Sequence, residues 1–131
     1  MNLLLDTHAF IWWDDDYNRL PLSVIAALHH SDNVIYLSLV SIWEMQIKLQ
    51  LGKLKFEIPL SQKVQEQQAT NKIQLLPITD THIYGLDALP HHHRDPFDRL
   101  LIAQARTGSL QLVTHDANIG KYDVQILWNE K

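Results

Sequence analysis

Leu3-Leu4-Leu5-Asp6-Thr7-His8 decides how the rest of the chain is read. Successive strand residues point to opposite sides, so three apolar residues in a row predict a short strand buried on both faces. Such strands belong to parallel sheets with helices on each side. In these sheets, ligand sites lie outside the carboxyl ends of the strands. The apolar run stops at Asp6, which places a carboxylate where a site is expected.

Outward from there, the pattern alternates. Residues 7–13 read as a short apolar helix, and the acid run Asp14-Asp15-Asp16 as loop. Pro21 suits the first turn of a helix that continues through 23–30. Residues 34–39 are rich in β-formers and predict a second strand. Ser41, with Glu44 three residues on, has the form of a capping box opening a helix to about Leu51, closed by Gly52. A largely polar helix over 61–72 follows, with Val64 its clearest inward residue. Residues 75–78 then form a short strand, and Thr79-Asp80 opens a helix to about Leu86. After the loop 89–94, Asp95-Pro96 is a strong helix start, an N-cap followed by proline at the first helical position. That helix carries Phe97, Leu101 and Ala105 on one stripe and ends at Gly108. Residues 110–114 are a buried strand, and 122–127 a last strand at a sheet edge. Strands alternating with helices over short connections mean a mainly parallel sheet covered on both faces.

The 131 residues fit a single domain, 1–131, and its composition of 46% apolar and 20% charged residues is that of a soluble globular protein. With no cysteine, disulfides and thiolate metal sites are excluded. The N-terminal residues lack the basic region and long apolar run of a signal peptide, and no run reaches membrane-spanning length. A cytoplasmic protein with no membrane partner is expected. A net charge of −4 speaks against avid, purely electrostatic nucleic-acid binding. It does not exclude a nuclease, because clustered acids subtract charges that bound metal offsets. Lys48, Lys53 and Lys55 are the best local basic surface.

Three further acids, Glu44, Asp98 and Asp116, are delivered to the same sheet edge as Asp6. Each also has a structural job available. Asp6 can cap the helix after it, and Glu44 can complete the capping box and pair with Lys48. Asp98 suits the first-turn dipole, and Asp116 can cap the turn after it. Together they carry a cost. At about 4 Å and an effective dielectric near 20, each like-charge pair costs roughly 4 kcal/mol. Protons or a divalent metal must therefore neutralise them. Oxygen ligands select Mg²⁺ or Mn²⁺, and a metal pair at about 3.5–4 Å suits phosphodiester hydrolysis.

Four segments carry a resemblance: Leu3-Leu4-Leu5-Asp6-Thr7-His8; Ser41-Ile42-Trp43-Glu44 with Leu51-Gly52-Lys53-Leu54; Asp95-Pro96-Phe97-Asp98-Arg99-Leu100-Leu101-Ile102-Ala103-Gln104-Ala105; and Leu112-Val113-Thr114-His115-Asp116. In this order the chain resembles the PIN-domain ribonucleases, in particular the VapC-type toxins of type II toxin–antitoxin pairs. The resemblance implies a three-layer α/β/α fold and an endoribonuclease dependent on Mg²⁺ or Mn²⁺. It implies an RNA substrate, a small antitoxin partner, and a homodimer or toxin–antitoxin hetero-oligomer. By position it makes Asp6, Glu44, Asp98 and Asp116 the catalytic and metal-holding acids, with Thr114 and Asp95 in support; Arg99, beside the third motif, is a further supporting candidate. The alternatives are a catalytically inactive PIN-like module that binds RNA or protein, and an aspartyl-phosphate enzyme using Asp6. The latter lacks the second Asp two residues on that its family requires.

His91-His92-His93 reads as a solvated loop near the site mouth, because adjacent imidazoles diverge whereas metal sites draw on separated positions. His8 and His115 read as phosphate contacts or helix surface, and Arg94 and Arg99 as phosphate holders or partners of a nearby Asp. Trp12, Trp13 and Trp43 read as core, interface or base-stacking residues. As neighbours, Trp12 and Trp13 cannot face the same core.

Overall fold

In a computed structural model that describes residues 1–128, Leu3, Leu4 and Leu5 are completely buried. Leu3 and Leu5 pack into one helical layer and Leu4 into the opposite one. These residues lie on strand β1 (Asn2–Leu5) at the centre of a five-stranded sheet. The other strands are β2 (Val34–Ser38), β3 (Gln74–Leu76), β4 (Gln111–Val113) and β5 (Ile126–Leu127), in the order β3-β2-β1-β4-β5. Every neighbouring pair is parallel.

One layer contains helices α1 (Thr7–Asp15), α2 (Leu22–His29) and α4 (Leu60–Asn71), with Phe10, Val24 and Val64 in its core. The other contains α5 (Asp80–Tyr84) and α6 (Pro96–Gly108), with Leu101, Ile102 and Ala105 buried against Leu4 and Leu112. Helix α3 (Leu39–Gln50) bridges the two, sending Met45 into the first core and Val40 into the second. The fold is the expected three-layer α/β/α arrangement. Among the described residues, no helix is long and apolar enough to cross a membrane.

Several expected boundaries change. The capping box at Ser41 does not open α3. Ser38 is the N-cap, accepting the Val40 N–H at 3.0 Å, so the chain turns helical directly at the end of β2. Ser41 is thereby buried inside the helix, and Glu44 lies in its second turn rather than its first. Asp14 and Asp15 belong to the last turn of α1, not to a loop. Both receive Lys63 Nζ from α4, with the Asp15 contact at 2.7 Å. Pro21 stands just before α2, in extended backbone, rather than in its first turn. The last strand is reduced to two residues because the chain before it turns locally. Tyr122 N–H donates to Ile119 O and Val124 N–H to Tyr122 O, which withdraws those groups from the ladder. The first and fourth strands carry the local geometry that matters for function, since the chain runs from β1 towards β3 on one side and places β4 on the other.

Candidate active site

A parallel sheet of this order has its switch point between β1 and β4, where the crevice for a ligand opens. Asp6 N–H donates to Val113 O at 3.0 Å, which ties the two strand ends together there. Asp6 is also the N-cap of α1, accepting the Ala9 N–H at 2.7 Å, and is only 5% exposed. Burial pushes its carboxyl above the usual range. Hydrogen bonds from the Thr114 side chain and the Ala9 N–H work the other way. Thr114 faces the second acid of this edge too, because its hydroxyl oxygen accepts the Asp116 N–H at 3.1 Å. Asp116 accepts the Asn118 N–H through Oδ1 at 2.8 Å and turns Oδ2 into the crevice.

Glu44 enters from α3 and is buried. Its Oε1 accepts the Thr7 hydroxyl at 2.7 Å and its Oε2 pairs with Lys48 at 2.8 Å, one turn along the helix. Asp98 enters from the first turn of α6, whose N-terminus Asp95 caps by accepting the Phe97 N–H at 2.9 Å. Burial, followed by the charges of Asp95, Glu44 and Asp6, pushes the Asp98 carboxyl up to about 7, against an opposing effect of His93. Asp6 in turn feels Asp116. The structure therefore brings Asp6, Glu44, Asp98 and Asp116 within electrostatic reach of one another. Asp95 contributes charge beside them while its Oδ1 is engaged as a cap.

His93 is the residue that sequence reasoning missed. Its Nε2 lies 2.9 Å from Asp98 Oδ2 and 3.1 Å from Asp116 Oδ2, whereas His91 and His92 are exposed. The available signal was its place two residues before the Asp95 cap, which puts that loop at the mouth. The backbone there is fixed by Tyr122, whose hydroxyl accepts the His93 N–H at 2.9 Å.

Arg99 is placed differently from expectation. Its guanidinium donates to Pro90 O at 2.8 Å, Tyr122 Oη at 3.1 Å, Leu86 O at 3.3 Å and Leu89 O at 3.4 Å. It clamps the loop that leads to His93, in place of the expected phosphate or carboxylate role. His8 and His115 are exposed and lie near Trp12, with ring centroids 6.0 Å and 6.4 Å away. Trp13 is buried, while Trp12 carries Arg19 over its ring at 4.3 Å. Trp43 is 56% exposed, edge-on to Phe97 at 5.1 Å. Beside the acids, a shallow pocket of about 320 Å³ is lined by Glu44, Lys48, Lys53, Asp95 and Phe97, among others.

Two buried carboxylates, a third whose acidity is weakened and a fourth at the rim form a strongly anionic crevice. Its donors are oxygens with one imidazole. This set fits a hard divalent cation that Asp6, Glu44, Asp98 and Asp116 would hold, and His93 Nε2, Asp98 and Asp116 converge within 4.8 Å of one another.

A family model described as the PIN domain matches residues 3–125. Ribonuclease VapC22 from Mycobacterium tuberculosis is 28% identical over 118 residues, covering 89% of this chain and 88% of that protein. Among solved structures, VapBC2 from Rickettsia felis, bound to a DNA fragment from its promoter, superposes with a TM-score of 0.76 at 16% identity. That match covers 98% of this chain and 100% of the other. VapBC-5 from Mycobacterium tuberculosis, a member of the VapBC family of toxin–antitoxin systems, matches with a TM-score of 0.62 at 17% identity, covering 98% of each chain.

Proposed function

The chain belongs to the PIN domain family, and from that premise we propose that it is an endoribonuclease dependent on Mg²⁺ or Mn²⁺, the toxin of a toxin–antitoxin pair. The observation that carries this reading is the convergence, at one switch-point crevice, of four acids from four separate segments of the chain. The naming of the 28% identical relative as a ribonuclease supports the activity. The VapBC assemblies among the structural neighbours support a small antitoxin as partner.

Asp6, Glu44, Asp98 and Asp116 would hold the cation and would not attack the substrate themselves. When bound, such a metal would supply acidification of water and charge stabilisation at a leaving oxygen. Thr114 keeps Asp6 and Asp116 at a fixed separation, and Thr7 orients Glu44. Asp98 would give up its proton on loading, because burial and the neighbouring acids raise its carboxyl to about 7. Lys48 limits the negative charge at the rim that an RNA backbone meets.

The test is cleavage of total bacterial RNA by purified protein with Mg²⁺ or Mn²⁺ against EDTA, alongside Asp6→Asn and Asp98→Asn. Discrete metal-dependent fragments, absent in both variants, are expected. Full activity in either variant overturns the assignment. Absence of both cleavage and Mn²⁺ binding replaces it with an inactive binding module.

A further inference from the structure

His93 occupies the place where a cation would sit. Its Nε2 stands between Asp98 Oδ2 and Asp116 Oδ2, at 2.9 Å and 3.1 Å. The other ring nitrogen decides what this contact is. His93 Nδ1 accepts the Asp95 N–H at 3.2 Å, so it carries a lone pair. The ring hydrogen is then on Nε2 and points at the two carboxylates. A ring in this tautomer donates to the acids and has no lone pair on Nε2 to offer a metal. Coordination through Nε2 would require a hydrogen on Nδ1, which would face the Asp95 N–H donor to donor.

Resting on the reading of this crevice as a metal site, we propose that His93 is an internal competitor for the cation. It bridges Asp98 and Asp116 in the metal-free protein and withdraws when the site is loaded. The bridge softens repulsion within an acid cluster that is part-buried and short of counter-charge. Withdrawal is a side-chain rotation and needs no refolding of the loop. The loop backbone is pinned independently by His93 N–H on Tyr122 Oη and by Arg99 on Tyr122, Pro90, Leu86 and Leu89. Among the described residues, only the Asp95 N–H and the two carboxylates hold the ring itself through hydrogen bonds.

The experiment measures Mn²⁺ binding by calorimetry for wild type, His93→Ala, His93→Gln and Asp98→Asn, with thermal unfolding of each in EDTA. His93→Ala is expected to bind Mn²⁺ roughly tenfold more tightly, the size of one hydrogen bond to a charged group. It is also expected to unfold at lower temperature in EDTA, because the acids lose their donor. His93→Gln, which keeps a donor, should stay near wild type. Weaker binding in His93→Ala would make His93 a ligand and overturn the proposal, as would unchanged binding. If Asp98→Asn loses Mn²⁺ while His93→Ala matches wild type, the proposal fails and the metal-site reading stands. If no variant binds Mn²⁺, both fail together.

Discussion

The hydroxyl of Thr7 donates to Glu44 Oε1 at 2.7 Å, across 37 residues of sequence, and stands 3.0 Å from the Ser41 hydroxyl oxygen. This contact locks the start of α1 to the second turn of α3, and all three side chains are buried. It also fixes one carboxylate oxygen while Lys48 takes the other.

Removal of that hydroxyl tests the positioning role. Thr7→Val keeps the shape and leaves the buried Glu44 Oε1 without its donor, so folding stability should fall by about 1–2 kcal/mol. Mn²⁺ affinity should fall several-fold, and Thr7→Ser should restore both. Urea unfolding and calorimetry read the two effects separately. A Thr7→Val protein with wild-type metal affinity would confine Thr7 to packing.

The acidity of Asp98 sets a pH signature. An unfolded carboxyl releases its proton near 3.8, whereas the folded Asp98 holds it up to about 7. Between these values the native state binds more protons than the unfolded one, so metal-free stability declines as pH rises from about 4 to 7. In EDTA, Asp98→Asn should flatten this decline relative to wild type. A parallel slope in the variant would assign the effect to other groups, of which Asp6 shifts in the same direction.

Metal uptake should show the same proton. Below pH 7, Mn²⁺ binding should weaken as the pH falls and release protons into the buffer, because the ligand must be deprotonated. Calorimetry in buffers of different ionisation enthalpy counts them. A pH-independent affinity between 5 and 7 would contradict the placement of Asp98 among the metal-holding acids.

Arg99 separates a clamp from a phosphate contact. Arg99→Lys cannot span the four acceptors that the planar guanidinium reaches, and should cost about 1–2 kcal/mol in stability. The salt dependence of RNA binding in EDTA should be unchanged. A slope reduced by about 1 would return Arg99 to the phosphate-binding role read from its motif.

Lys63 bears on the scaffold alone. Burial opposes the ionisation of Asp14, yet the hydrogen bonds from Lys63 and Gln67 outweigh it and hold that carboxyl below its usual range. Lys63→Met leaves a largely buried carboxylate without its cation, so stability should fall by about 3 kcal/mol in urea unfolding. Mn²⁺ affinity should be unaltered, since this tie between α1 and α4 lies away from the acids.

The legible parts of the sequence were those dictated locally. Leu3-Leu4-Leu5 cannot be half-exposed without stranding an apolar side chain, so the run specified a strand buried on both faces. Asp95-Pro96 combined two independent helix-start preferences, and α6 begins there. The acids were legible because a parallel sheet gathers its strand ends. Ser41 misled because Ser38 offers the same capping chemistry three residues earlier, and only burial of Val40 and Met45 decides between them. His93 was illegible for a different reason. Its loop is pinned through its backbone N–H to Tyr122, 29 residues away, and its ring meets Asp116, 23 residues away, contacts that no local pattern encodes.

The hydrogen bond from Asp6 to Val113 also bears on timing. Asp6 leaves the ribosome more than a hundred residues before the strand that closes the other wall of its crevice. A nascent chain stalled before β4 holds Asp6 and Glu44 without Asp116 and without the neighbour that ties down the end of β1. The crevice is thus complete only once β4 has emerged, long after its first acid.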